Sequence, residues 1–307
     1  MIFYSFKPVD TLYFRGAESA EMGADHHAST LFPPPPQTIA GAIRTEYLKQ
    51  HGIDFKKYLK GDVEQKIIDE IGEAGSDAPF SIIGPFFKKE EKFYIPAPYS
   101  WYTCSNSVGK VTKYKIIKAF PIKSPLFVSP QEANWAKGEN IETIGGKWIL
   151  LDDIDKDETE NIFPLTHFAN IENHTGIALD RRKKTTREGH LYSFRHFRLL
   201  EDVELVFGID KEISLEEKGV LKLGAEQRFG SYRKISFTLK SRKISNLFMS
   251  LSIIKGSEEA NSSIFATGKI RYIGGWDMVK GFHKPLNGYF PAGTVFNKKL
   301  NNNFIEI

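Results

Sequence analysis

An α+β fold is the class this sequence predicts, and three patterns predict it. Residues 2–7 alternate, with Ile2, Tyr4 and Phe6 on one side and Phe3, Ser5 and Lys7 on the other, the period of a half-buried strand. Four consecutive prolines, Pro33 to Pro36, feed a stretch in which Ile39, Ala40, Ile43, Tyr47 and Leu48 recur at helical spacing. After residue 165 helical periodicity is scarce and two-residue alternation recurs, so the second half leans toward strand. The 307 residues suffice for two ordinary domains or one large one, and 41% hydrophobic content supports a sizeable core.

The elements follow in order. Fixed φ and missing N–H groups forbid helix through the proline run until its last ring, so Pro36 serves as a first helical residue. That helix ends near Gly52, with Arg44, Lys49 and Gln50 facing away from the apolar side. A second helix is expected over Val63–Ile71, and strands over Phe80–Phe87 and Lys92–Ile95. Glycines at 138, 145 and 146 and an acidic stretch from Asp152 to Glu160 have the composition of a linker or surface insertion. A boundary there gives an N-terminal module of residues 1–145 and a C-terminal, strand-rich module of residues 146–307. Within the second, Val203–Ile209, the stretch around Ile235, Phe237 and Leu239, and Leu247–Ile253 alternate as strands do.

Charge and cysteine content narrow the function classes. The 42 basic residues are nearly matched by 38 acidic ones, for a net charge of +4, so any site for a polyanion must be a local basic patch. Cys104 is the only cysteine, which excludes an intrachain disulfide and a multi-cysteine zinc site and fits a reducing compartment. No basic leader is visible, and no apolar run approaches the roughly 18 residues of a membrane span. A cytoplasmic protein without membrane association is expected.

Enzyme and metal motifs are absent. Asp25, His26 and His27 are adjacent, and neighbouring side chains diverge, so a shared ion is not expected. Asp153, Asp155 and Asp157 mimic the start of a calcium loop, but Glu158 and Pro164 stand where glycine and glutamate are needed. There is no nucleophile elbow, phosphate loop or dinucleotide fingerprint, and nothing in the sequence supplies His167 or His174 with an orienting carboxylate. No catalytic residue, metal or cofactor is therefore assigned.

Basic segments say more. Arg181, Arg182, Lys183, Lys184 and Arg187 crowd one stretch, which continues through Tyr192, Phe194, Arg195, Phe197 and Arg198. Cations interleaved with flat rings suit unpaired RNA; the charges alone leave a solvated loop open, and the rings a core-filling strand. The run Leu223–Gly230 carries Gly224, Arg228 and Gly230 and leads into Arg233 and Lys234, the make-up of a phosphate-approaching loop or of a turn before a strand. Gly288–Val295, with Gly293, would let another backbone approach. On the first helix, Ala40, Gly41 and Ala42 form a small-residue surface one turn before Arg44.

Taken together, Pro8–Arg15, Phe32–Arg44, His174–Asp180, Leu223–Gly230 and Phe290–Val295 resemble the RAMP superfamily of CRISPR proteins, most closely the third subunit of the type III-B (Cmr) effector complex. The proline-to-helix segment is the most specific of these, and the pieces span nearly the whole chain. The resemblance implies two RRM-like (ferredoxin-fold) modules with loop insertions. It implies a non-catalytic subunit that holds the repeat-derived 5′ tag of the crRNA beside the large polymerase-like Cmr subunit and the first backbone Cmr subunit, in antiviral defence. On that reading the RNA contacts are Arg15, Arg44, Arg181, Arg182, Lys183, Lys184, Arg187, Arg195, Arg228, Arg233 and Lys234. Gly41, Gly224, Gly230 and Gly293 then allow close approach. Three alternatives stay open: the equivalent subunit of a type III-A complex, a RAMP endoribonuclease using His26 or His27 as a metal-free base, and a structural bridge whose basic loop meets an acidic protein face.

Overall fold

The computed structural model of the chain describes residues 1–16, 27–28, 30–104, 113–122, 133–180, 182–239 and 246–307. The N-terminal alternation forms strand β1 (Ile2–Pro8); Phe3 and Ser5 are buried as well as Tyr4 and Phe6, so the strand is covered on both faces. Pro36 opens helix α1 (Pro36–Gln50) at its first position, where a missing N–H costs no helical bond. Gly52, at φ +65°, follows its end. A five-residue helix α2 (Phe55–Leu59), too short to show a period, starts where the Asp54 carboxylate accepts from the N–H groups of Lys56 and Lys57. Helix α3 (Gln65–Ile71) stands where the second helix is expected.

Six strands of the central sheet and the two of a hairpin arm, β6 and β7, follow in chain order: β2 (Ile82–Lys89), β3 (Lys92–Pro96), β4 (Trp148–Leu150), β5 (Ile162–Phe163), β6 (Ala169–Asp180), β7 (Thr185–Leu199), β8 (Val203–Ile209) and β9 (Lys218–Lys222). With β10 (Phe229–Ile235) and β1, the sheet runs β5-β4-β3-β2-β8-β1-β10-β9, antiparallel throughout. Helix α1 covers one face: Ile39 and Ile43 are fully buried, and Gln50 Nε2 donates to the Tyr232 hydroxyl at 2.8 Å. On the other face Phe237 packs 4.8 Å from Phe3 and 4.3 Å from Phe93. This explains one correction. The strand expected to run through Phe237 to Leu239 stops at Ile235, because Phe237 leaves the sheet to cover it.

Three further expectations change. The boundary at 145/146 divides the sheet rather than separating modules, since β1, β2 and β3 precede it and the other five sheet strands follow. The acidic stretch is no linker: Asp153 is buried and accepts from Lys156 Nζ, Asn161 Nδ2 and the Thr159 hydroxyl, closing a knot beside β4. The Leu247–Ile253 alternation yields a strand only over Phe248–Ser250.

Strands β6 and β7 pair with each other as a long hairpin outside the central sheet. At roughly 3.3 Å per residue its arm is about 40 Å long. After residue 246 the chain forms two small sheets, one of which carries the hairpin β11 (Arg271–Asp277) and β12 (Phe282–Phe290). The whole is α+β and strand-rich. Among the described residues no helix is long and apolar enough to cross a membrane.

Candidate nucleic-acid interface

The chain leaving β1 is the junction on which the basic segments converge. Leu12 exchanges backbone hydrogen bonds with Phe197 of β7 at 2.7 and 2.8 Å, tying the hairpin root to residues 11–15. On its other side the loop after β9 is sewn to the same segment: Ala225 N–H donates to the Tyr13 carbonyl at 2.8 Å. Gly224, at φ +115°, makes that possible, because a Cβ there would lie 3.1 Å from the Tyr13 oxygen. The loop's glycine thus lets the chain approach itself.

Above this junction lies a groove of about 720 Å³, floored by α1 and the segment Phe14–Gly16 and overhung by β11–β12. Arg15, Lys222 and Lys284 supply its charge; all three are exposed and have no ion-pair partner among the described residues. Trp276 and His283 offer rings at its rim, 5.0 Å apart edge to face. Gly41 and Thr45 of α1 line it from below. A methyl group on Gly41 would meet no atom within 4 Å, so this glycine leaves open space where every other side chain would intrude. Cations, rings and an open helix face are what a single RNA strand uses.

The expected contact residues divide into free and committed ones. Arg15 is in the groove, and Arg182, Lys183 and Lys184 form the exposed turn at the hairpin tip, where the Asp180 carboxylate accepts from the N–H groups of Arg182 and Lys183. Arg195 is exposed on β7. Arg181 lies outside the described residues, as do Asp25 and His26; the backbone of Arg187 belongs to β7, and that of His27 pairs in parallel with Ser193. Arg44 is spent within the fold: its guanidinium donates to Tyr58 Oη at 3.1 Å and the Ser76 carbonyl at 2.9 Å, and lies over the Tyr58 ring. Arg233 pairs with Glu204 at 3.0 Å and donates to Ser5, on the sheet face opposite α1, and Lys234 pairs with Glu217 at 3.4 Å.

Arg228 is committed to a closed ring of charges at the hairpin root. It bonds Asp10 and, at 3.3 Å, Glu226; Glu226 faces His196 Nε2 at 3.8 Å; His196 stacks on His174 at 3.9 Å. His174 lies 3.5 Å from Glu172, Glu172 bonds Arg198, and Arg198 returns to Asp10 at 2.9 Å. The Thr11 backbone N–H, then Arg198 and Arg228, hold the Asp10 carboxyl below its ordinary range; the Arg198 hydrogen bond does the same for Glu172. Burial, and then His174, push His196 down.

The other two glycines also serve the chain itself. A Cβ on Gly230 would lie 2.3 Å from the Lys7 carbonyl across the sheet, and one on Gly293, at φ +91°, 2.4 Å from that of Ala97. Of the rings interleaved with the basic segment, Phe197 is core, stacked 4.3 Å from Phe32. His167 lies in a 3₁₀ turn and His174 in β6, where Glu172 is its carboxylate neighbour. Lys222, Trp276, His283 and Lys284 went unmarked in the sequence, although Lys222 sits two positions before Gly224. No group of three or more His, Cys, Asp or Glu that could hold a metal occurs among the described residues.

A family model described as CRISPR-associated protein (Cas_Cmr3) matches residues 4–252. No curated protein sequence matches significantly. Among solved structures, a chain of the type III-B Cmr-beta complex bound to cognate target RNA and AMPPnP is 16% identical, with a TM-score of 0.58 over 96% of this chain and 85% of that one. A chain of the same complex bound to cognate target RNA is 17% identical, with a TM-score of 0.58 over 96% and 86%. These likenesses show a shared fold, and the match to 4–252 covers the junction, the groove floor and the glycine loop. The chain belongs to the Cas_Cmr3 family of CRISPR-associated proteins, the type III-B Cmr family its sequence resembles.

Proposed function

We propose that this chain is a non-catalytic, RNA-binding subunit of a type III-B effector complex working in the cytoplasm in antiviral defence. It holds the repeat-derived 5′ tag of the crRNA in the groove above α1 and bridges the large polymerase-like subunit to the backbone. One observation carries the reading: Arg15 and Gly41, distant in sequence and singled out there for RNA contact and close approach, meet at one groove with the unpaired cations Lys222 and Lys284. Family membership and the RNA-bound complexes of fold relatives support it.

The absence of catalysis is part of this proposal. His196 is fully buried with Nδ1 at 3.1 Å from the Thr11 hydroxyl, and His167, stacked 3.9 Å from Phe163, lies outside the groove lining; His283 is the histidine at the groove, edge to face with Trp276. The test is the salt dependence of tag binding. In the assembled complex, Arg15→Ala with Lys222→Ala should weaken binding for every spacer sequence and flatten the plot of log affinity against log salt by roughly 0.7 per lost phosphate contact. An unchanged slope would exclude the groove as the phosphate path. Cleavage of repeat RNA by the purified chain in chelator would overturn the non-catalytic reading.

A further inference from the structure

The groove does not end beneath the overhanging hairpin. A second cavity of about 680 Å³ opens between α1, the connection 74–82 and the C-terminal residues, and Gly41, Thr45, Trp276 and Lys284 line both spaces. They meet over Gly41 and Thr45 of α1. Glycine is the poorest helix former after proline, and it persists inside helices for a packing or functional reason. Here no packing reason exists within the chain: the backbone is helical and an added methyl meets nothing within 4 Å, whereas Gly224, Gly230 and Gly293 each face a backbone atom of the chain itself. The space over Gly41 is kept for something outside the chain.

The two spaces differ in chemistry. The first is cationic, through Arg15 and Lys222, and suits phosphates. The second is walled by the rings of Phe55 and Tyr289, with the Tyr58 ring beneath Arg44, carries charges of both signs through Asp77, Lys255 and Glu259, and contains Asn303, a side chain only 8% exposed whose Oδ1 has no hydrogen-bond partner. Rings with one uncommitted amide suit a flat heterocycle that presents an N–H edge. The volume lies within the 300–1,000 Å³ or so usual for small-ligand pockets. Burial raises the Tyr289 phenol, so that hydroxyl stays protonated and able to donate.

We propose that the second cavity receives one unstacked nucleobase of the RNA strand whose phosphates occupy the first groove, the strand crossing α1 at Gly41. The proposal rests on the RNA-binding reading above and adds a base-recognition site to it. Flat rings take a splayed base regardless of its neighbours, so a single tag position should be marked out from the rest.

The test is photocrosslinking of the assembled complex, with 4-thiouridine placed at each tag position in turn and the attached residue mapped by mass spectrometry. One position should crosslink to Phe55, Tyr58 or Tyr289, and its neighbours to the Arg15 and Lys222 side. Gly41→Leu, which grows a side chain into the shared space, should cut that one crosslink at least tenfold without lowering the melting temperature of the chain. Crosslinks confined to the first groove would overturn the base site and leave the RNA-binding reading standing. An undiminished second-cavity crosslink in Gly41→Leu would overturn the crossing point. Absence of any crosslink to the chain would overturn both readings.

Discussion

Gly41 and Gly293 look alike in the sequence, each set among small residues, and their backbones separate them. Gly293 adopts φ +91° with the Ala97 carbonyl where a Cβ would go, so Gly293→Ala should destabilise the chain by more than about 1 kcal/mol. Gly41 is helical with open space above it, so Gly41→Ala should stabilise by about 1 kcal/mol. Denaturant midpoints of the two variants check this, and a shift of the same sign in both would refute the distinction. The sequence could mark both as small residues, but the sign of φ and the contents of the facing space are tertiary facts. The same limit applies to the cations. Their positions were legible; that Arg44, Arg228 and Arg233 are consumed by Tyr58, Asp10 and Glu204 was not, because each partner lies fourteen or more residues away.

At the scale of elements, the proline-led helix and the β2–β3 hairpin were legible because their periods and turn chemistry are local. The β6–β7 arm was not, since burial alternates along β6 but hydrophobicity does not follow it: Ile171, Ile177 and Leu179 lie on the exposed side, and Glu172, His174 and Asp180 on the half-buried side. What fixes the arm to the body is the ring at its root, and that ring predicts a pH dependence. The groups facing His196 are Thr11 and Asp10 from the β1 exit, Tyr13 stacked at 5.2 Å, His174 from β6, and Glu226 and Arg228 from the glycine loop. Burial first, then His174 and Arg228, outweigh the two carboxylates and hold the folded pKa below the ordinary 6.5. His167 is also lowered, by burial and then Lys89. The unfolded chain therefore binds more protons as pH falls below 6.5. Stability is full above that pH and declines below it, before Asp10 and Glu172 titrate. Denaturant midpoints at pH 7.5 and 5.5 should differ, with less stability at 5.5 and a smaller difference in His196→Asn. Identical midpoints in the parent chain would count against the buried, neutral histidine.

For the whole molecule, the decisive fact is that strands from both sides of residue 145 share one sheet. Composition pointed to a linker at residues 138–160 because glycine and acid clusters mark loops, but it cannot report that Asp153 is buried and bonded or that Trp148 pairs with Pro96. Residues 1–145 hold β1, β2 and β3, and β1 lies between β8 and β10, both from the later half. Cutting the chain there would leave both edges of β1 without partners and expose Phe3, Tyr4 and Phe6, now at most 2% exposed. Unpaired buried strands and bare aromatic rings favour aggregation over a marginal fold. The fragment 1–145 expressed alone should lack a cooperative melting transition, and the fragment 146–307, missing the central strand, should lack one too. Co-expressed, they should recover a common transition, because the sheet closes only when β1 enters between β8 and β10. Two fragments that each melt cooperatively in isolation would mean that the halves are independent modules after all, and that the shared sheet is an interface between them rather than a common core.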